Sequence, residues 1–322
     1  MAVHVLHHGW CFDGAASAAL FAAFYRKRHG PAEFRFIPKD HRPGDPYDPA
    51  DFAGADPAVG LDFRYSQHPA MTWYFDHHAS AFQLPGDREH FAADTSGQKF
   101  HDATAPSCAG YLARTVQARF GVDLGEHAEL IAWAERIDAA AFPDPSMPVL
   151  LAEPALQLVT FVESNQDPAM VGPFIEDLLT RSLADHAAAD YVQQLVGPRR
   201  AQNQADIGLI GARAVVDGGV LTYDLLDQPA RAYNKFIPYY HHPRVRYVLA
   251  LTRGTDRRIK LTAGYNPWLP RDLREHSMAA LLEPFGGGGH PYVGGCSFDP
   301  DAEDHAHHVV RSLAATLRSA PP

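Results

Sequence analysis

The stretch Met71-Thr72-Trp73-Tyr74-Phe75-Asp76-His77-His78 joins an apolar run directly to one acid and two imidazoles. Met71 to Phe75 suits a buried strand. The change at Asp76 then puts cation-binding groups at the strand's carboxyl end. Three more patches have this form. His7-His8-Gly9-Trp10-Cys11-Phe12-Asp13-Gly14 follows an apolar start, Gly60-Leu61-Asp62 ends a second short apolar run, and Arg136-Ile137-Asp138 ends a helical pattern. Carboxylates and imidazoles at element ends can hold two divalent cations close together, and such pairs activate water against phosphorus.

The surrounding pattern gives these patches a common place. Strands are expected at Val3 to Leu6, Glu33 to Ile37, Ala58 to Leu61 and Met71 to Phe75, with an alanine-rich helix from Ala15 to Lys27 after a tight turn at Gly14. Strands alternating with helices predict an α/β domain built on a parallel sheet, with helices on both faces. The ligand crevice of such a sheet lies beyond the carboxyl ends of its strands. The polar run from Phe82 to Pro106 reads as a long loop beside that crevice. Helices follow at Ser107 to Phe120, Gly125 to Asp138, Pro168 to Leu183 and Ala187 to Val196. A smaller α/β domain comes next, with strands at Ala214 to Tyr223, Val245 to Thr252 and Ile259 to Ala263 and helices at Ser277 to Leu282 and His305 to Leu317. The expected domains are 1–196 and 213–322, with 197–212 as linker.

Composition narrows the function. The 322 residues carry 28 Lys and Arg against 38 Asp and Glu, a formal charge of -10. Long duplex nucleic acid is held by an excess of basic groups. The short basic patches, such as Arg26-Lys27-Arg28, read as solvated faces. A small phosphorylated substrate or a short oligonucleotide fits better. Three cysteines argue against a disulfide framework. No apolar run approaches the roughly 20 residues that cross a bilayer. Met1-Ala2-Val3-His4 enters a strand pattern with no basic-then-apolar leader. The expectation is a cytoplasmic protein without a membrane partner, with a homodimer left open.

The order of the patches resembles the DHH phosphoesterase family, named for the triplet found here as Asp76-His77-His78. The family's first motif has a His, an Asp four residues on, an Asp two further and then usually Gly. His7, Cys11, Asp13 and Gly14 fall on that spacing. Asp62 and Asp138 match the second and fourth motifs. Gly286-Gly287-Gly288-Gly289-His290, followed by Pro291-Tyr292-Val293-Gly294-Gly295, resembles the glycine-rich loop of the DHH-associated C-terminal domain. Each motif alone is weak, but five in order are specific. The resemblance implies an N-terminal DHH domain, a smaller α/β C-terminal domain and an active-site cleft between them.

It also implies a metal-dependent phosphoesterase that cleaves short oligonucleotides or dinucleotides, using two divalent ions, with Mn²⁺ the family's usual choice. Asp62 would bridge the ions. His7 and Cys11 would complete one site, and Asp13, His77 and Asp138 the other. His78 would face the substrate, and Asp76 would orient an imidazole. Gly287, Gly288, Gly289 and His290 would hold the far part of the substrate, through an anion nest of successive N–H groups. Cys11 departs from the motif, which has Asp there. A thiolate ligand favours Zn²⁺ or Fe²⁺; the other reading makes Cys11 a small buried filler beside a site that lost its ion. His7 is preferred over His8, which is one residue off and would point to the opposite side of a strand.

Alternative readings are a phosphomonoesterase acting on nucleoside bisphosphates and a nucleotide-binding protein with a degenerate first metal site. A long-strand exonuclease is disfavoured by charge. A pyrophosphatase is disfavoured because relatives with that activity carry a different C-terminal domain. Elsewhere the plain readings are preferred: Cys108 and Cys296 in the core, Tyr239-Tyr240-His241-His242 in a loop, and His305, His307 and His308 on a solvated helix face.

Overall fold

A computed structural model of the chain describes residues 2–42, 44–254 and 256–318. They form two compact units, one of residues 1–142 and 152–198, the other of 143–151 and 199–322.

The first unit is built on strands β1 (Ala2–His8), β2 (Phe34–Lys39), β3 (Ala55–Leu61), β4 (Met71–Asp76) and β5 (Lys99–His101). All pair in parallel, in the order β2-β1-β3-β4-β5. Helix α1 (Phe12–His29) connects β1 to β2, and α4 (Cys108–Phe120), α5 (Ala128–Asp138), α7 (Pro154–Ser164) and α8 (Val171–Thr180) follow the sheet. Short α2 (Pro49–Phe52) precedes β3, and α3 (Asp87–Ala92) precedes β5. The two faces are covered unequally. Val3, Val5, Val59, Leu61, Trp73 and Phe75 pack into a large core with the helices. Leu6, Ala58, Met71 and Tyr74 face a smaller core closed by Tyr47, Phe52, Phe63 and Tyr65 from loops and α2. Helices on both faces were expected; the second face has mainly loops.

Every residue of α1 from Phe12 to Phe24 is buried, because the helix lies between the sheet and the outer helices. That explains its alanines, which permit close approach on all sides. Gly14 serves packing rather than the turn expected of it. A β-carbon there would lie 2.3 Å from the His8 carbonyl oxygen. The run 82–106 is more than a loop, since it contains α3 and the sheet's edge strand β5. Helix α7, outside the expected set, adds Ala155, Leu158 and Phe161 to the core. The basic patch at 26–28 is tied down locally: Arg26 pairs with Glu176, Lys27 with Glu126, and Arg28 lies over Phe120.

Short helices α6 (Ser146–Leu150) and α9 (Leu183–Ala187) precede α10 (Asp190–Arg213), which runs unbroken through the expected linker 197–212. In the second unit, β6 (Val215–Asp217), β7 (Val220–Asp224), β8 (Tyr247–Arg253), β9 (Ile259–Tyr265), β10 (Gly288–Gly289) and β11 (Val293–Phe298) form a sheet in the order β10-β11-β9-β8-β7-β6. It is mixed, with β7 and β8 parallel and the other pairs antiparallel. The single strand expected at 214–223 is a hairpin turned by Gly218 and Gly219, both at positive φ. Helices α12 (Met278–Leu282) and α13 (Glu303–Arg318) pack on this sheet. Helix α11 (Ile237–His241) replaces the expected loop and buries Tyr239. His307 pairs with Asp224 at 2.5 Å, so it is not simply solvated. Cys108 and Cys296 are buried, as expected.

Two glycine substitutions separate packing from propensity. Gly14→Ala should destabilise the fold by about 1–3 kcal/mol through overpacking. Gly197→Ala, in α10 with nothing within 4 Å of its added carbon, should stabilise it by about 0.5–1 kcal/mol. Denaturant unfolding of both variants reads the two signs; equal effects would remove the close approach at Gly14 as the reason for its glycine.

Candidate metal centre

The four patches meet at the carboxyl ends of the first sheet's strands. β1 delivers His7 and His8, and the first turn of α1 delivers Cys11 and Asp13. Asp62 follows β3 at a left-handed φ of 54°, so the chain turns sharply and drops a carboxylate into the crevice. β4 ends in Asp76, with His77 and His78 next, and Asp138 is the last residue of α5.

His77 lies at the middle. Its Nε2 is 3.3 Å from Asp138 Oδ2, 3.4 Å from Asp62 Oδ1 and 3.8 Å from Asp13 Oδ2. Its Nδ1 donates to the Ala105 carbonyl at 3.0 Å, which aims Nε2 at the carboxylates. Asp13 is 1% exposed and accepts from the backbone amides of Cys108 at 2.6 Å and Ala109 at 3.0 Å. These are the free N–H groups that begin α4, and a helix N-terminus favours negative charge. Ser107 caps the same helix by accepting from the Gly110 amide. Asp76 is fully buried. Its carboxylate accepts from Tyr74 Oη at 3.1 Å and from His78 Nδ1 at 2.8 Å, so His78 is the imidazole that it orients.

Burial raises Asp13 well above the usual carboxylate range, and the charges of Asp62 and Asp138 add to that. Asp138 is raised for the same reasons, with the imidazoles opposing. Burial also acts to raise Asp62, but His77 and His8 outweigh it and hold it below the usual range. Burial opposes a charge on His77; Asp62, the Ala105 carbonyl and Asp13 outweigh it and bring the imidazole up to about 10. Asp76 raises His78 against the effect of burial. Burial and the neighbouring carboxylates push the Cys11 thiol up.

The buried polar atoms left without a hydrogen bond include both oxygens of Asp62, Nε2 of His77 and Nδ1 of His8. Buried polar groups are nearly always paired. Orphans of metal-ligand type, gathered in one region, fit a divalent cation. Three sets of ligand atoms each lie within 4.8 Å of one another: Asp13, His77 and Asp138; Asp62, His77 and His78; and His8, Cys11 and Asp62. His7, preferred from its spacing, is in none of these sets among the described residues. β1 stays extended through His8, so its side chains alternate. His7 shares the face of Val3 and Val5 and lines a small apolar pocket with Trp10, Cys11, Phe161 and Phe174, where burial lowers it to about 4. His8 comes out on the other face, 3.6 Å from Asp62 Oδ2.

Two neighbours have no motif to mark them. His41 lies with its ring 5.0 Å from that of His8. Trp10 is 45% exposed, at φ 58°.

The glycine loop belongs to the second unit. Gly288 and Gly289 pair with Gly295 and Gly294 as a narrow hairpin. The expected nest of free N–H groups does not form at Gly286, Gly287 or His290, whose amides donate to Glu283, Leu282 and Val293. Packing accounts for several glycines. A β-carbon on Gly287 would lie 2.6 Å from Cys296 Cβ, and one on Gly289 2.5 Å from Gly294 Cα. Gly288 has open space around it, and His290 is exposed.

No protein-family model matches the sequence, and no curated protein does. Solved structures do share the fold, and they are DHH-family proteins. The pGpG-specific phosphodiesterase PggH from Vibrio cholerae is 17% identical, with a TM-score of 0.70 over 98% of this chain and 99% of its own. RecJ from Thermus thermophilus in complex with Mn²⁺ is 14% identical, with a TM-score of 0.54 over 98% of this chain and 52% of its own. The DHH domain of PF0399, a member of the s1p family of ribosomal proteins, is 15% identical, with a TM-score of 0.50 over 100% of this chain and 87% of its own. The chain thus has the DHH fold with its mixed-sheet C-terminal part.

The raised His77 sets a pH dependence. With no cation bound, its charge stabilises the fold fully below its ordinary value of 6.5 and ceases to do so as pH rises through about 10. A cation needs the neutral ring, so binding must expel that proton. Apparent affinity for Mn²⁺ should therefore rise from about pH 7 to about pH 10, with proton release seen by calorimetry in buffers of different ionisation heat. A flat affinity profile would remove His77 from the ligand set.

Proposed function

We propose that the protein is a metal-dependent phosphodiesterase that hydrolyses short oligonucleotides, with linear dinucleotides as the main substrate class. The observation that carries this reading is the convergence of Asp13, Asp62 and Asp138 within 3.8 Å of His77 Nε2, with both Asp62 oxygens buried and unpaired. Asp13, His77 and Asp138 would hold one cation, His8 and Cys11 the other, and Asp62 would serve both. When bound, two such cations supply an acidified water and neutralise phosphate charge.

The chain's own groups do the rest. His78 is fixed through Nδ1 by Asp76, which favours its charged form. Its side chain is 39% exposed. Nε2 is thus the donor offered to a phosphate oxygen or to the departing alkoxide. Asp76 acts by holding that ring in one tautomer and orientation. The backbone amides of Cys108 and Ala109 keep Asp13 in place. Gly287, Gly288, Gly289 and His290 are the proposed contacts for the distal part of the substrate. The open space at Gly288 and the exposed imidazole of His290 support that role; the occupied amides leave less of it to a nest.

Two observations favour a small substrate. The formal charge is -10. The fold matches a pGpG-specific phosphodiesterase with a TM-score of 0.70, against 0.54 and 0.53 for two RecJ structures. The metal-reconstituted protein should be assayed against linear dinucleotides, cyclic dinucleotides, nucleoside bisphosphates and longer strands. Fastest turnover of a linear dinucleotide supports the reading; release of inorganic phosphate from bisphosphates alone would replace it with a phosphomonoesterase. Asp62→Ala should lower activity at least about a thousandfold and lower bound metal more than any other single change. Unchanged metal content, by atomic absorption, would remove Asp62 from the centre.

His290→Ala tests the distal contact. It should raise KM several-fold while leaving bound metal unchanged. Normal KM and normal turnover would reduce the glycine hairpin to a structural role.

A further inference from the structure

The two sides of the proposed centre are chemically unequal. On one side the donors around His77 are carboxylate oxygens from Asp13, Asp62 and Asp138. On the other, the set within 4.8 Å is His8, Cys11 and Asp62: one nitrogen, one sulfur and one oxygen. The sulfur does not stand alone. Asp62 is 1% exposed with neither oxygen hydrogen-bonded, and His8 Nδ1 is also buried without a partner. His8 Nδ1 lies 3.6 Å from Asp62 Oδ2.

A second cysteine shows how filler behaves in the same unit. Cys108 is fully buried within the main core, and its thiol bonds to the Phe75 carbonyl at 3.2 Å. Cys11 instead stands at the start of α1, partly exposed, against an unpaired carboxylate and an unpaired imidazole. Filler beside an empty corner would leave Asp62 Oδ2 and His8 Nδ1 buried and unsatisfied, which costs free energy for each group. A shared cation removes that cost for both and engages the Cys11 thiolate as well.

We infer that the chain has two unlike cation sites: a soft one built from His8, Cys11 and Asp62, and a hard one built from Asp13, Asp62, His77 and Asp138. The soft site takes a thiophilic divalent cation such as Zn²⁺ or Fe²⁺ in preference to Mn²⁺ or Mg²⁺, because thiolate sulfur selects soft metals and carboxylate oxygen hard ones. The working centre is then heterometallic, and its activity depends on the supply of two different metals. This inference rests on the cation-binding part of the proposed function and not on the identity of the substrate.

Cobalt reports sulfur ligation directly. The full chain, stripped with chelator and kept reduced, is titrated anaerobically with Co²⁺ alone. Wild-type protein should develop a near-ultraviolet thiolate-to-cobalt charge-transfer band. Cys11→Asp should bind cobalt without the band, and its preference for Zn²⁺ over Mn²⁺ should fall at least about tenfold in competition titrations. Cys11→Ser gives a second variant if the aspartate disturbs folding, and should likewise lose the band. Cys108→Ala should keep it. Cobalt bound to wild type with no band overturns the inference while leaving the proposed function standing. So does a band that survives in either Cys11 variant or vanishes in Cys108→Ala. A wild-type chain that binds no cobalt overturns both.

Discussion

Three carboxylates converge on one imidazole nitrogen, and the rest of the first unit is arranged to hold them there. Like charges about 4–5 Å apart, in surroundings of effective dielectric constant near 20, repel by roughly 3–4 kcal/mol. Burial adds to the difficulty, and Asp13 and Asp138 are both pushed up. The fold opposes this in three ways. It presents the first amides of α4 to Asp13, it locks Asp62 through a left-handed turn, and it sets His77 between them. Each device lies on a different element. Their meeting therefore depends on the parallel sheet, whose strand ends all open on one side. That is why α1 is buried so completely and why Gly14 must let the helix start touch the end of β1.

The strands that carry the site were legible because each pairs a short apolar run with an abrupt polar end. Met71 to Phe75 before Asp76 is the clearest case. The elements that escaped reading lack such contrast. Lys99-Phe100-His101 is three residues long and mostly polar, so only its pairing with β4 makes it a strand. Gly218-Gly219 is itself a two-residue hairpin signal, and reading 214–223 as one strand passes over it. Spacing alone also chose His7 over His8. The strand's extension through His8 decided which imidazole reaches Asp62, and extension is set by pairing with β2 and β3 rather than by local sequence. His41 carried no signal, since tertiary packing alone brings it to His8; Trp10 adjoins Cys11 in the chain but stands on no motif position.

The glycine loop shows a motif serving two demands. Its pattern is required by close packing of β10 on β11 and α12, as the contacts at Gly287, Gly289 and Gly294 show. A run of glycines is therefore not in itself a sign of ligand binding. What packing leaves unexplained is narrower: the open surroundings of Gly288 and the exposed His290 beside them. A structural role for most of the glycines and a binding role for the remainder are compatible. The rigid hairpin is what would fix His290 in position.

The adjacent residues His77 and His78 show how little sequence is needed to assign opposite tasks. Both rings anchor through Nδ1. His77 donates to the neutral carbonyl of Ala105. That bond fixes the ring without adding charge, and it leaves Nε2 aimed at three carboxylates, where a cation can displace the proton. His78 donates to the buried carboxylate of Asp76. That partner favours the charged ring. One imidazole is thereby suited to coordination and the next to meeting a phosphate. The difference lies in the acceptor on Nδ1, a backbone carbonyl for one ring and the triplet's own aspartate for the other, and in the three carboxylates that face Nε2 of His77 alone. Asp76, which is in none of the ligand sets among the described residues, is one of the groups that make the two histidines unlike.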